Sequence, residues 1–413
     1  MRVLILTVTA GNAHNACAAR MKQQLEKLDG GVEVKIINIL EEYSDRLNAW
    51  ISNAGYNLAV GKFPAVYDAF YHLYEKRSPS RRYLCPSQGA VLSCIGGLYR
   101  EILLFKPDVI YSTQYYGAIA VTDLRLIFDL PATCIASNLD YTVAPFWESC
   151  VGVDYFTLPT PGLSDRFIRK GFKREQLLPV GLPVDGRTLE IMDKAKAREI
   201  LKLDKDRFTV MIMFGGGHWH GGYSIFKMLL KALKGRKAQI IMINGKDGYC
   251  YKTVEQGKLP DGIKVLNVGF TTEIPTYMSA ADVILNKCGG ASTTEIINKG
   301  VPMLVTEKLV AQERCNLEYA KSKGVALSFK NAKELKEKLL LLMDDPEKRA
   351  EMTKNTLPLR TDAMRELAEF ILKQPPANYG DADAGKIDEK EIKKRVKRAL
   401  KAADKKERRK NGK

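Results

Sequence analysis

Apolar residues in this chain fall into short runs of about four to eight, alternating with stretches whose apolar positions recur every three or four residues. The first run covers residues 2–9. Residues 15–28 then carry helical spacing, with Ala16, Ala19, Leu25 and Leu28 among the small or apolar positions. Gly30 and Gly31 end that helix, and residues 32–39 form a second run. Strand, helix, strand at this spacing predicts a parallel sheet with right-handed crossovers. The same grammar gives a helix over 89–105 and strands over 108–112, 131–136 and 153–158. Residues 159–183 are loop-like, rich in Pro and Gly, with one short basic helix over 164–170. A second α/β series follows. It has strands over 208–214, 239–244, 263–266, 282–285 and 303–305, helices over 223–233 and 273–279, and three later helices over 332–342, 346–355 and 361–372. Pro375-Pro376 break the pattern before an acidic, flexible linker over 380–385.

These elements divide the chain into an N-terminal domain (1–180), a C-terminal domain (181–372) and a linker with tail (373–413). A length of 413 residues accommodates two ordinary domains and a tail. The eight cysteines are scattered with no CxxC pair, which argues against a zinc ribbon or a disulfide framework and for a reducing cytosol. No apolar run reaches the length of a membrane span, and residues 1–10 read as a strand rather than a signal peptide. Charge changes the picture at one end. The net charge is +17, and residues 392–413 alone hold 12 Lys/Arg against 2 Asp/Glu. Ile392, Val396, Leu400 and Ala403 line one face of a helix there and bases cover the rest, the pattern of a helix lying on an anionic membrane. Nonspecific nucleic-acid binding and a disordered tail are the competing readings of that segment.

Candidate chemistry concentrates in residues 286–316. Gly289 and Gly290 make a tight turn after a strand. Ser292-Thr293-Thr294-Glu295 has the spacing of a capping box, which predicts a helix beginning at Ser292. Gly300 and Pro302 stop it. The free N–H groups and positive dipole end of such a helix suit a phosphate or diphosphate, and Gln312, Glu313 and Asn316 can place polar groups beside it. Glu295 can equally do no more than cap its own helix. The loop of Gly215, Gly216, Gly217, His218, Trp219 and His220 has the shape of a second phosphate cradle. It lacks the GK[ST] ending of a nucleoside-triphosphate loop. The two histidines have no third ligand nearby, so no metal is expected. Asp381-Ala382-Asp383 sits in the linker and reads as a chance DxD.

His14 follows the first strand and Asp140 the fourth, so both fall at the C-terminal edge of the first sheet, where open parallel sheets bind ligands. Either can serve as a base. A surface role for His14 and a turn-closing role for Asp140 stand beside that reading. Residues 43–82 gather aromatics and bases, among them Phe63, Tyr67, Arg77, Arg81 and Arg82, which suits a membrane interface or a helix packed on the sheet with a solvated basic end. No nucleic-acid module signature accompanies them, so nucleic acid is not an expected partner.

The pattern Gly269-Phe270, Met278, Ala281-Asp282, Asn286-Lys287-Cys288-Gly289-Gly290, Thr294-Glu295 and Gly300-Val301-Pro302 resembles glycosyltransferase family 28. Within it, the pattern is nearest to monogalactosyldiacylglycerol synthases and processive diacylglycerol glucosyltransferases. Thr9 to His14 resembles the family's GxGH segment, and Asp140-Tyr141 with Phe146-Trp147 its acceptor-side segment. The resemblance covers roughly residues 1–372. It implies a GT-B fold, two Rossmann-like domains facing a cleft, and inverting transfer from a UDP-sugar without an essential catalytic metal or other cofactor. By position, Gly269 and Phe270 would receive the uracil, Glu295 the ribose, and Gly289, Gly290, Ala291 and Ser292 the diphosphate. Gln312 and Glu313 would read the sugar, with Asn316 behind them. Gly215, Gly216, Gly217 and His218 match the first Gly loop of the C-terminal domain. His14 and Asp140 would be rival bases, and Tyr141, Phe146 and Trp147 would lie on the acceptor side. The last helix of the C-terminal domain would cross back onto the N-terminal one. The expected acceptor is a membrane lipid, with diacylglycerol foremost, met by a protein peripheral on the cytoplasmic membrane face. Polyprenyl-linked or soluble acceptors, UDP-sugar 2-epimerisation and a nonenzymatic UDP-sugar sensor are the alternatives. The chain departs from the family with Ala13 where Gly is usual, Leu139 where Thr is usual, and Cys288 where Pro is common.

Overall fold

The computed structural model describes residues 1–9, 12–44, 65, 68, 69, 71, 73, 87–214 and 222–410. Phe63, Tyr67, Arg77, Arg81 and Arg82, and the loop of Gly215, Gly216, Gly217 and His218, lie outside the described residues. The chain forms two compact units. One holds Met1–Val184 together with Asp362–Lys413, and the other holds Asp185–Thr361.

Unit one runs β1 (Arg2–Thr7), α1 (Asn12–Leu28), β2 (Glu33–Asn38), α2 (Ile39–Tyr43), α3 (Gln88–Phe105), β3 (Val109–Ser112), α4 (Tyr115–Leu124), β4 (Thr133–Ser137), β5 (Tyr155–Thr157), α5 (Ser164–Arg169) and β6 (Leu177–Leu178). Its sheet has the order β2-β1-β3-β4-β5-β6 and is parallel throughout, with Val3 opposite Val34 on one side and Val109 on the other. Val3, Leu4, Ile5 and Leu6 are fully buried, as a strand covered on both faces requires. Helix α1 starts at Asn12, three residues earlier than its apolar spacing implied. It buries Cys17, Met21 and Leu25 at intervals of four, while Ala19 and Leu28 are exposed. The early start places His14 in the first turn of the helix.

Unit two continues with α6 (Lys194–Ile200), β7 (Phe208–Met213), α7 (Gly222–Ala232), β8 (Ala238–Ile243), α8 (Gly248–Glu255), β9 (Ile263–Val268), α9 (Ile274–Ala280), β10 (Val283–Asn286), α10 (Gly290–Lys299), β11 (Met303–Thr306), α11 (Ala311–Ser322), β12 (Ala326–Phe329), α12 (Ala332–Asp344) and α13 (Pro346–Thr356). Its sheet, also parallel, has the order β12-β11-β10-β7-β8-β9. Successive residues of β7 feed opposite faces. Val210 and Ile212 join one core, Met211 and Met213 the other, so helices cover both sides of the sheet.

The chain then rejoins unit one through α14 (Ala363–Leu372) and α15 (Glu389–Lys410). Helix α14 packs on α1, burying Met364, Leu367 and Ile371, and Phe370 meets the Tyr155 ring edge-on at 4.9 Å. The expected flexible linker is tied down by Ala384, buried in the core of unit one, and the residues just before it are anchored. Ala377 N–H donates to Asp108 Oδ1 at 2.9 Å, and the Tyr379 hydroxyl donates to the Pro107 carbonyl at 3.0 Å. Asp383 accepts from Gly385 N–H at 2.8 Å and closes a local turn.

The tail departs most from expectation. Ile392, Val396 and Leu400 do not face outward. They are buried in the core of unit one, where α15 packs along α3. Burying three such side chains stabilises this placement by on the order of 5–9 kcal/mol before ordering entropy. The apolar stripe expected to enter a membrane surface is therefore already used. Gly96 is what lets the two helices close, because a Cβ there would stand 2.6 Å from the Glu389 carbonyl oxygen and 2.7 Å from its Cβ. Gly96→Ala should destabilise unit one by about 1–3 kcal/mol through this overlap, read as a lower urea midpoint. Gly89→Ala, with nothing within 4 Å of its Cβ, should not lower it.

Candidate active site

In a doubly wound sheet the strand order reverses at one place, and the loops leaving the two strands there splay apart to form a crevice. In unit two that place lies between β7 and β10. The strand β10 ends in Asn286, and Lys287-Cys288-Gly289 turn the chain into α10. Cys288 has φ +56°, a left-handed conformation rare for a side-chain-bearing residue. A proline is locked near −65° and cannot take that conformation, so this turn excludes the Pro common at this position in the family.

The turn is held from three sides. Asn316 on α11, fully buried, donates its side-chain amide to the Cys288 carbonyl at 3.0 Å. The Thr293 hydroxyl donates to Cys288 Sγ at 3.3 Å, and the Ser292 hydroxyl to the Gly289 carbonyl at 3.0 Å. The capping box does not form. The helix begins at Gly290 with Gly289 as its cap, two residues before Ser292, and the cap makes no side-chain hydrogen bond. Glu295 therefore sits in the second turn, buried at 8% exposure, too far along to cap anything. The consequence is chemical. Among the described residues no side-chain cap closes the start of the helix, and the first-turn N–H groups of Gly290, Ala291 and Ser292 with the helix dipole make an anion cradle.

Beyond the turn, Glu313 is set in the first turn of α11. One carboxylate oxygen accepts from Val310 N–H at 3.3 Å, and the other pairs with Lys287 Nζ at 2.9 Å. Lys287 is the member of this group that sequence reasoning passed over. Only its place in the motif could have signalled it, since its pairing crosses from one βα loop to the next. Gln312 is half-buried beside Glu313. Gly269 and Phe270 leave the end of β9, the edge strand, and Phe270 is 65% exposed with Lys246 Nζ 5.6 Å over its ring. An exposed aromatic face at this edge can stack on a base.

In unit one the reversal lies between β1 and β3. His14 bridges it, with Nδ1 2.6 Å from the carbonyl oxygen of Thr113, just past β3. A carbonyl only accepts, so Nδ1 carries the proton and Nε2 is left with its lone pair. Burial pulls the His14 pKa down to about 4, with the Thr113 carbonyl opposing, so the ring is neutral near pH 7. Asp140 leaves β4, half-buried. Its turn is fixed by Asn138, which donates to the carbonyls of Asp140 and Thr142, each at 2.8 Å. Strands β1 and β4 stand two positions apart, about 10 Å at sheet spacing, so His14 and Asp140 share one edge of one sheet.

The acceptor-side aromatics are mostly structural. Trp147 is 4% exposed and packs edge-on to Phe156 at 4.7 Å, and Tyr141 is likewise buried. Phe146 is half-buried and stacks on Tyr115 at 5.0 Å. Trp147 and Tyr141 are packed into the protein at the loop after β4 and leave little surface exposed.

Two doubly wound parallel units with glycine turns at the reversal of the second are the GT-B class of fold. Solved structures agree: Acinetobacter baumannii MurG superposes with TM-score 0.58 over 90% of this chain and 99% of its own at 13% identity. UDP-GlcNAc 2-epimerase from Neisseria meningitidis superposes with TM-score 0.59 over 90% and 100% at 15% identity. Likeness at these identities is one of fold. Sequence takes the assignment further. Residues 14–184 match monogalactosyldiacylglycerol (MGDG) synthase, residues 225–370 match the glycosyltransferase family 28 C-terminal domain, and the chain belongs to that glycosyltransferase family. A processive diacylglycerol beta-glucosyltransferase of Bacillus licheniformis is 25% identical over 370 residues, covering 88% of this chain and 92% of its own.

Two outcomes follow from this geometry. Asn316→Ala removes the amide that donates to the buried Cys288 carbonyl and should cost about 1–3 kcal/mol in urea unfolding. For His14, the folded pKa lies below the ordinary 6.5. Its neutral form therefore stabilises the fold fully above pH 6.5, and that contribution is lost as pH falls from 6.5 through 4. His14→Gln should flatten the decline of the urea midpoint over that window, compared with wild type.

Proposed function

We propose that this chain is an inverting hexosyltransferase that moves a sugar from a UDP-sugar to the free hydroxyl of a membrane lipid, diacylglycerol first. The observation that carries the reading is what each unit of a family 28 chain holds at its own sheet reversal: in unit two a helix N-terminus with no side-chain cap, in unit one a neutral histidine with its tautomer fixed. The first suits a diphosphate and the second an alcohol proton.

In the reaction, the acceptor oxygen forms a bond to the anomeric carbon as the bond from that carbon to the β-phosphate oxygen breaks. The electron pair leaves on the diphosphate, where the N–H groups of Gly290, Ala291 and Ser292 receive the added charge. The acceptor proton passes to Nε2 of His14, and the Thr113 carbonyl at Nδ1 steadies the imidazolium that results. Asp140 is the rival base on the same edge. A single displacement turns an α-linked donor into a β-linked product. Glu295 holds the ribose, and Gln312 and Glu313 read the sugar, with Lys287 fixing the Glu313 carboxylate. The charge of the departing diphosphate is met by backbone and helix dipole, and no metal is assigned a step.

The chain meets the cytoplasmic face of the membrane as a peripheral protein. Among the described residues no helix is long and apolar enough to cross a bilayer. Helix α15 keeps its apolar stripe in the core, while Lys393, Lys394, Lys397, Arg398, Lys401 and Lys405 are exposed. At about 1 kcal/mol per base near an anionic surface, these six supply several kcal/mol without displacing the stripe. The attachment is therefore electrostatic and falls with salt.

The test is incubation of the purified chain with radiolabelled UDP-glucose, UDP-galactose and UDP-N-acetylglucosamine, with and without vesicles holding diacylglycerol and an anionic lipid. Label should enter the organic phase only with diacylglycerol. His14→Ala should lower kcat by about 100-fold or more while UDP binding persists. UDP release without labelled lipid would overturn the acceptor, and no donor consumption by wild type would overturn the enzyme. On vesicles, binding should be lost by about 0.5 M salt, where the screening length drops to a few ångströms. Salt-resistant binding would mean that an apolar element inserts instead.

A further inference from the structure

The sheet of unit two has a second edge, opposite the glycine turn, and a cavity of about 430 Å³ opens there. Its walls come from the residues that lead into β10 and β11, from the C-terminus of α10, and from Arg360 at the end of the unit. A volume in this range is that of a small-ligand pocket. Its charge is unbalanced. Asp282 is already shared by Lys194 at 2.6 Å and Arg198 at 2.7 Å. Arg349 donates to the carbonyls of Leu342 and Met343. That leaves Lys299 and Arg360 near each other, with Glu190 at the exposed rim and Asp185, already paired with Arg187, as the acidic groups that act against them.

Lys299 Nζ rests on the Glu190 carbonyl oxygen at 2.7 Å. Burial first, and then the like charge of Arg360, pull its ammonium below the ordinary lysine value, against the pull of Glu190. Arg360 is the anomaly. Its Nε is buried and meets no hydrogen-bond acceptor. A buried donor left unpaired costs about 1–3 kcal/mol, and a guanidinium edge made of Nε and one Nη is the geometry that grips an oxyanion with two parallel bonds. Gly300 makes the placement possible, since at φ +79° it carries no Cβ where the Arg360 guanidinium lies. The exposed Ile191 and the partly exposed Met192 give the mouth an apolar lip.

We propose that this cavity is an oxyanion site, in which Arg360 and Lys299 bind the phosphate of a small phosphate monoester whose organic part rests against Ile191 and Met192. The site lies at the far edge of the sheet from the glycine turn, and the inference does not rest on the transferase reading.

The experiment uses the full chain and two probes, inorganic phosphate and phenyl phosphate, each titrated against chloride at equal ionic strength and followed by thermal shift and calorimetry, with and without UDP. Both probes should bind, phenyl phosphate the more tightly, and UDP should not abolish either. Arg360→Gln should weaken phenyl phosphate at least tenfold, while Glu190→Gln, which removes the competing carboxylate, should strengthen it. If phosphate alone binds, the ester specificity is wrong and the site is one for free phosphate. Equal binding by wild type and Arg360→Gln, loss of binding on adding UDP, or no binding beyond ionic strength would overturn the proposal. Should Arg360→Gln fail to fold, wild-type crystals soaked in tungstate decide the matter: the anomalous peak falls within hydrogen-bond reach of Arg360 Nε, or the site is not there.

Discussion

A parallel sheet sends the carboxyl ends of all its strands to one edge, and both sheets of this chain are parallel throughout. Everything chemical depends on that constraint. Each βα loop emerges on the same side, so residues far apart in sequence converge without any contact specified between them. His14, Thr113 and Asp140 meet one sheet edge in unit one. Lys287, Glu313 and Asn316 gather on one edge in unit two. The reversal of strand order then decides which loops are free to open around a ligand. At both reversals the chain places unusual local chemistry: a histidine pinned by a carbonyl in one, a left-handed cysteine in the other.

The left-handed turn at Cys288 shows how local strain and site function are joined. A side-chain-bearing residue at φ +56° costs roughly 1 kcal/mol or more, and the fully buried Asn316 offsets it through the Cys288 carbonyl. What the turn gains is an abrupt entry into α10, so that the helix begins on glycines and presents bare N–H groups. A capping box at Ser292 would have started the helix two residues later and turned the Glu295 carboxylate back onto Ser292 N–H. The absence of the cap thus leaves the first-turn donors open to an anion.

Helix α15 separates two properties that an amphipathic pattern leaves merged. Its apolar stripe and its bases could both serve a membrane. The stripe is worth on the order of 5–9 kcal/mol against α3, and pulling it out to reach lipid would forfeit that. The bases forfeit nothing by facing outward. Packing therefore assigns the stripe to stability and leaves the charge for a partner.

By itself the sequence determined the order and type of most of the long periodic elements, the parallel α/β class, a glycine-marked turn ahead of α10 and the family. All of these rest on local pattern: apolar runs, glycine punctuation and short-range motifs. Only the tertiary structure decided the rest. Helix α4 is buried from Gly117 to Leu124, so it has no polar face and no period to read, and the four-residue β12 is too short to carry one. The true start of α10 depended on Asn316, Thr293 and Cys288 holding the turn, contacts that span up to 28 residues. The faces of Trp147, Tyr141 and α15 depended on what lay across from them. A pattern states that a surface is apolar, but whether protein, lipid or ligand covers it is settled by long-range packing, which no local window contains.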